Sequence, residues 1–306
     1  MSQAAKQHQG FDEPVSLDTG SAADFIELMK PRVMSLVIFT ALVGLVMAPG
    51  SLHPVIAVAA LVLIATGAGA SAALNMWYDA DIDAIMARTQ SRPIPAGRVA
   101  PGDALTFGLW VSGLSVMSMA VLVNYLSAAL LAFTIFFYAV IYTIWLKRHT
   151  AQNIVIGGAA GALPPVIGWA AAANSISLEP LLFFAIIFFW TPPHFWALAL
   201  VKNADYQAAS VPMLPVTQGE KATLTQIVIY SLILAVTTMT PWALGYSGLF
   251  YAAGASALNL VFVGLALMLA FAKPAQRNRM AMILFAWSIF YLFLIFALLM
   301  ADRLVA

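Results

Sequence analysis

The sequence predicts an all-α, polytopic membrane protein built as a bundle of nine transmembrane helices. Three observations predict it. Of 306 residues, 62% are hydrophobic and only 9% charged, more apolar surface than a soluble domain of this length can hide. The apolar residues fall into nine runs of about 20, the length that crosses a hydrocarbon core roughly 30 Å thick. Finally, 13 of the 14 basic residues fall on one side of those runs.

Taken in order, residues 1–27 are polar, with Asp12, Glu13, Asp18 and Asp24, and lack the apolar core of a signal peptide. They are expected to form a flexible tail ahead of a single transmembrane domain, 28–306. The spans read as 31–49, 54–78, 102–123, 125–146, 151–173, 180–201, 222–244, 248–271 and 280–301. Turn signals such as APGSLHP, VNYLS and GYSG separate them. Each run predicts a helix, because a backbone facing lipid must satisfy its own hydrogen bonds. A β-barrel would show short alternating segments, which are absent. There is no cysteine, so disulfides and thiolate metal sites are excluded, and no basic tract of the kind that binds nucleic acid.

The segregated charges set the orientation. Lys6, Lys30, Arg32, Arg88, Arg92, Arg98, Lys147, Arg148, Lys202, Lys221, Lys273, Arg277 and Arg279 share one side, and Arg303 alone lies on the other. The positive-inside rule then predicts a multi-pass protein of the cell inner membrane, N terminus cytoplasmic and C terminus outside. The two longest connections, after spans 2 and 6, both fall on the cytoplasmic side, where function in a helical bundle usually sits.

One of them carries NMWYDADIDAIMARTQSRPIP, Asn75–Pro95, with three aspartates and two arginines within fourteen residues. If the helix continues, Asn75, Asp79 and Asp83 recur every four residues and share a face, while Asp81 points away. Two stacked carboxylates repel unless a cation lies between them, and oxygen ligands suit Mg²⁺, which typically binds one or two carboxylates and a substrate phosphate. Arg88 and Arg92 follow, four apart, and arginine forks recognise phosphate oxygens. Carboxylates for a metal beside arginines for an anion describe a diphosphate site. The plainer alternative is a solvated, salt-bridged loop. Lys202 and Asp205 lie just past span 6 on the same side, and Lys147 and Arg148 end span 4 there. Topology alone accounts for each of Lys147, Arg148 and Lys202 as well as an anion does.

NMWYDADIDAIMARTQSRPIP resembles the first aspartate-rich motif of the UbiA-type intramembrane prenyltransferases, Asn-Asp-x-x-Asp-x-x-x-Asp followed by Arg-x-x-x-Arg-Pro. Asn75, Asp79, Asp83, Arg88, Arg92 and Pro93 fall on that pattern, and Met76 departs from it. YTIWLKRHTAQNIVIGGAAGALPPVIGWAA, TPPHFWALAL and DYQAASVPMLPV are similar to the branch of this family that acts on haem, and the likeness spans most of 25–301. The family's second motif is Asp-x-x-x-Asp; here Asp205 matches and Ala209 does not.

The resemblance implies transfer of a farnesyl group from farnesyl diphosphate to a vinyl group of haem b, with addition of water, giving haem O and diphosphate. It implies Mg²⁺ held by Asp79, Asp83 and Asp205, with Asn75, Arg88, Arg92, Lys147, Arg148 and Lys202 around the diphosphate. Asp79, Asp83, Arg88, Arg92 and Lys202 are the candidate catalytic residues. His194 follows Thr-Pro-Pro inside span 6, where the prolines are expected to free carbonyls and loosen the helix. An ionisable residue within a span is a functional candidate, here as haem ligand or propionate partner, against the alternative of a neutral histidine bonded to a freed carbonyl. Expected partners are the bilayer, both substrates, and a haem A synthase or terminal-oxidase assembly proteins. Two rivals stay open: a relative acting on an aromatic acceptor such as 4-hydroxybenzoate, and a cation or solute transporter.

Overall fold

The computed structural model describes residues 20–50 and 52–305, and among them the regular structure is all helix, with no strand. Most of the tail expected over 1–27 lies outside the described residues. Its end departs from expectation. Ala22–Leu28 form a short helix, α1, started by a capping box in which Ser21 and Asp24 bond each other's backbone N–H. Leu28 is fully buried against Ala73, Met76, Ile94 and Val99, so apolar contact docks this segment.

Among the described residues, eight helices are long and apolar enough to cross a membrane, and a ninth crossing arises if α1 and α2, Pro31–Met47, count together across a 55° bend. The chain is thus a multi-pass membrane protein. The other elements are α3 (Pro54–Tyr78), α4 (Ala80–Ile85), α5 (Pro101–Leu122), α6 (Tyr125–Phe136), a π-helical segment (Phe137–Leu146), α7 (Lys147–His149), α8 (Asn153–Ala162), α9 (Pro164–Ala173), α10 (Leu178–Val201), α11 (Asn203–Ala208), α12 (Leu214–Thr217), α13 (Gly219–Ala243), α14 (Leu249–Ala270) and α15 (Pro274–Val305). Prolines open α2, α3, α5, α9 and α12 within their first two positions, where a missing N–H costs nothing.

Two spans differ from the expected plain helices, and a third from the loosened helix expected of it. The fourth turns π-helical over its last ten residues. The fifth breaks at Leu163, because Pro164 and Pro165 cannot donate to the preceding turn. The sixth does not loosen: α10 runs unbroken through Pro192 and Pro193.

Successive spans pack side by side as α2, α3, α5, α6 with the π segment, α8, α10, α13, α14 and α15, and α15 returns against α2 to close the ring. Side chains such as Trp110, Val121 and Phe271 stay exposed on the outside, where lipid replaces water as their neighbour. One end of the bundle, opposite the charged one, is tied by polar caps. Asn124 Nδ2 donates to the Ala170 carbonyl at 2.9 Å, and Asp302 accepts from the N–H groups of Gly248 at 2.6 Å and Tyr251 at 3.1 Å. Those two N–H groups open α14, so Asp302 satisfies donors the helix itself cannot.

Candidate functional site

The charged end is built around the junction of α3 and α4. Asp79 ends one helix and starts the next, at φ −90° and ψ 10°, yet its N–H still bonds the Asn75 carbonyl at 2.9 Å and its carbonyl takes the Asp83 N–H at 2.8 Å. That continuity keeps the four-residue spacing in phase. Asn75 Nδ2 donates to Asp79 Oδ2 at 2.6 Å, and Asn75, Asp79 and Asp83 are all buried. Asp81 lies on the other side, 63% exposed, where it accepts two hydrogen bonds from Arg148 at 2.9 and 2.7 Å. Those bonds hold its carboxyl below the usual carboxylate range. Met76, the departure from the motif, turns toward Leu28 and Val99 and is buried in apolar contact, a position with no room for a charge.

Three basic residues meet the two buried carboxylates. Lys147 Nζ donates to Asp79 Oδ2, Arg148 Nη2 stands 3.8 Å from Asp79 Oδ1, and Arg92 Nη1 donates to Asp83 Oδ2 at 2.6 Å. A buried charge left alone is prohibitively costly, so each carboxylate has its counter-ion. The π segment delivers Lys147. Its Thr143 hydroxyl donates to the Tyr138 carbonyl five residues back at 2.8 Å and accepts from Asn75 Nδ2 at 3.2 Å. A wider turn thereby sets Thr143 and Lys147 against Asn75 and Asp79, in line with the frequent use of π turns at functional sites.

Arg88 and Lys202 make no ion pair among the described residues. Arg88 is exposed and its guanidinium lies beside the Tyr206 hydroxyl, which burial pushes up and Arg88 opposes. Lys202 ends α10 and starts α11, three residues before Asp205. At the position of the family's second carboxylate, Ala209 packs with Ile82, Met86, Ile154 and Tyr206, so an apolar contact stands there.

Two residues that sequence reasoning took only as orientation signals belong to this constellation. Lys30, left-handed at φ 52° between α1 and α2, donates from Nζ to Asn75 Oδ1 at 2.9 Å. Arg98 joins Asp24, Glu27 Oε2 and the Ser91 carbonyl, the last two at 2.9 Å, strapping α1 to the loop that carries Arg88 and Arg92. The Lys-Pro pair at 30–31 was the available signal for the first; nothing local marks the second.

Unpartnered acceptors bear on whether the residues fit a divalent ion. Among the described residues, Asp79 Oδ1 and Asp205 Oδ2 are buried oxygens without a hydrogen-bond donor, as are Asn153 Oδ1 and Asn203 Oδ1. Buried acceptors normally have partners, and hard oxygens without donors suit Mg²⁺. No three His, Asp or Glu side chains gather into a ready-made metal cluster among the described residues. Mg²⁺ needs no such cluster, since it is usually held by one or two carboxylates with substrate phosphates and water. The donor set fits.

His194 lies away from this end, within α10. Its ring is buried between Trp190 and Phe285, with centroids 4.4 and 4.6 Å away and planes within 18° and 22°, and its Nδ1 lies 2.6 Å from Ser288 Oγ.

The model of the UbiA prenyltransferase family matches residues 37–300. The chain is 61% identical over 285 residues to a protein named protoheme IX farnesyltransferase from Parvibaculum lavamentivorans, covering 93% of this chain and 90% of the relative. It is 59% identical over 290 residues to protoheme IX farnesyltransferase 2 of Mesorhizobium japonicum, covering 94% and 92%. A third relative, protoheme IX farnesyltransferase of Rhizobium etli, is 57% identical over 301 residues, covering 98% and 95%. Among solved structures, one described for digeranylgeranylglyceryl phosphate synthase aligns at a TM-score of 0.76 with 14% identity, covering 93% of this chain and 99% of that one. A UbiA homolog from Archaeoglobus fulgidus, bound to GPP and Mg²⁺, aligns at 0.61 with 16% identity, covering 90% and 99%. At such identities these two structures speak for the fold alone.

Proposed function

The chain belongs to the UbiA prenyltransferase family, and from that premise we propose that it transfers a farnesyl group from farnesyl diphosphate to a vinyl group of haem b, producing haem O and diphosphate. The observation that carries the choice of substrates is 57–61% identity to proteins named protoheme IX farnesyltransferase over at least nine-tenths of both chains.

The charged end supplies what such a reaction needs. Asp79 and Asp83, with Asp205 from α11, would hold Mg²⁺, which when bound neutralises the diphosphate and polarises its leaving oxygen. Arg88 and Lys202 are cations without an ion pair among the described residues, and Arg92, Lys147 and Arg148 already sit on the carboxylates. Together they stabilise the charge that develops on the diphosphate as its C–O bond breaks. The farnesyl cation attacks the terminal vinyl carbon, and the new cation beside the macrocycle takes up water and loses a proton. The farnesyl cation must reach the vinyl group before water quenches it, which calls for a water-poor site, and apolar helices surround this one. His194 supplies the contact to haem.

The site faces the cytoplasm of the inner membrane in this reading, and a haem A synthase or terminal-oxidase assembly protein receives the product. Purified protein supplied with haem b, farnesyl diphosphate and Mg²⁺ is expected to yield haem O by mass. A product in which 4-hydroxybenzoate carries the prenyl group would move the acceptor to the aromatic class. Solute uptake without consumption of farnesyl diphosphate would end the transferase reading.

A further inference from the structure

Ser288 has one hydroxyl proton and two close partners. Its Oγ donates to the Phe285 carbonyl at 2.6 Å, three residues back on α15, and also lies 2.6 Å from His194 Nδ1. The far end of the same residue is held as well, since the Ser288 carbonyl accepts from Trp190 Nε1 at 2.7 Å. With its proton committed to Phe285, the Ser288 oxygen serves His194 as an acceptor, so the imidazole carries its proton on Nδ1. A second argument agrees. No group among the described residues bonds Nε2, and an unpaired N–H inside a protein is rarer and costlier than an unpaired lone pair.

Both faces of the ring are covered by Trp190 and Phe285, and its Nδ1 edge by Ser288. Phe195 packs nearly at right angles to the ring, centroids 5.0 Å apart, and Nε2 makes no hydrogen bond among the described residues. This nitrogen sits about two helical turns from Lys202 along α10, and a bare imidazole nitrogen is the form that ligates iron.

Resting on the reading of haem b as acceptor, we infer that Ser288 is a positioning residue that fixes His194 as the Nδ1–H tautomer and presents the Nε2 lone pair to the iron of the haem. An outer partner of this kind fixes both the tautomer and the ring orientation of a metal-binding histidine. The macrocycle is then anchored through its iron while its vinyl edge is free to meet the farnesyl cation. Trp190 and Phe285 hold the ring plane, and Ser288 sets which nitrogen is bare.

The chain has only four histidines, so ¹⁵N-histidine labelling of the full-length protein in detergent or nanodiscs gives a short spectrum to assign. The His194 signals are expected to show a protonated Nδ1 and a bare Nε2 before any haem is added. Ferric haem b should then give a histidine-ligated Soret and electron-paramagnetic-resonance signature that His194→Ala lacks. Ser288→Ala is expected to weaken haem binding about 10–100-fold, the usual consequence of losing such a partner, with the KM for farnesyl diphosphate unchanged. Ser288→Thr, which keeps the hydroxyl, should restore it. A wild-type His194 protonated on Nε2 overturns the inference, as does a Ser288→Ala protein whose haem spectrum and affinity match wild type. Wild-type protein that binds no haem and forms no haem O removes the reading beneath it instead.

Discussion

Lys30 crosses the charged end of the bundle to place its Nζ 2.9 Å from Asn75 Oδ1, joining the break in the first span to the head of the acidic ladder. Pro31 disfavours the right-handed helical region for the residue before it, and Lys30 takes the left-handed region instead, at φ 52°. For a residue with a Cβ that conformation costs roughly 1–2 kcal/mol. The surrounding contacts sustain it. Asn75 turns its oxygen to Lys30 and its amide to Asp79 and Thr143, so the lysine fixes which way the amide faces.

Lys30→Met is therefore expected to cut kcat/KM by about ten- to a hundredfold, as losing one hydrogen bond to a charged group typically costs about 1.5–3 kcal/mol. The KM for farnesyl diphosphate should rise more than that for haem. Lys30→Arg should recover part of the loss. Steady-state kinetics with each substrate varied in turn checks this, and unchanged constants for Lys30→Met would reduce the contact to a helix tie.

Asp79 and Asp81 offer a sharper contrast. Asp79 is fully buried beside Lys147, while Asp81 is mostly exposed and held by Arg148. Asp79→Asn should abolish turnover and also lower the melting temperature, because Lys147 keeps its charge without a partner. Pairing it with Lys147→Met should return stability and leave activity lost. Asp81→Asn should keep activity within a few-fold of wild type. Turnover and thermal unfolding of the four proteins decide, and an equally inactive Asp81→Asn would mean that the hold on Arg148 matters to catalysis.

Arg98 marks where the legible part of the sequence ended. Spans were readable because length and polarity define them, and the acidic ladder because a period of 3.6 places Asn75, Asp79 and Asp83 on one face. The π segment was not. Nothing in FYAVIYTIWL distinguishes bonding five residues back from four, and the choice emerges only when Thr143 and Lys147 find Asn75 and Asp79. Nor was the role of α1 readable: its residues were read as part of a flexible tail, and no local signal marks the reach of Arg98 across more than seventy residues to Asp24 and Glu27.

Because that strap holds the loop bearing Arg88 and Arg92, Arg98→Met should loosen the loop more than it destabilises the bundle. Hydrogen exchange over 86–100 is expected to rise with only a small drop in melting temperature, since Arg98 and Glu27 are exposed and Ser21 still bonds the buried Asp24. Activity should fall a few-fold. Exchange confined to wild-type rates would show that Val99, buried beneath α1, holds the loop alone.

The contact of α2 with α9 supplies the last test. A Cβ on Gly44 would stand 2.0 Å from the Pro165 carbonyl oxygen, and one on Gly168 would stand 2.1 Å from that of Ala41. Each glycine thus receives the other helix's backbone, the small-residue packing by which membrane helices approach closely. Backbone oxygens cannot rotate aside as a side chain can, so even alanine forces the helices apart. Overpacking of this kind typically costs about 1–3 kcal/mol, and α2 carries Lys30 at its head. Gly44→Ala and Gly168→Ala should each lower the melting temperature and the activity together, while Gly113→Ala, with no heavy atom within 4 Å of its added carbon, should change neither. Should Gly44→Ala melt and turn over like wild type, α2 and α9 would have to cross farther apart than this packing places them.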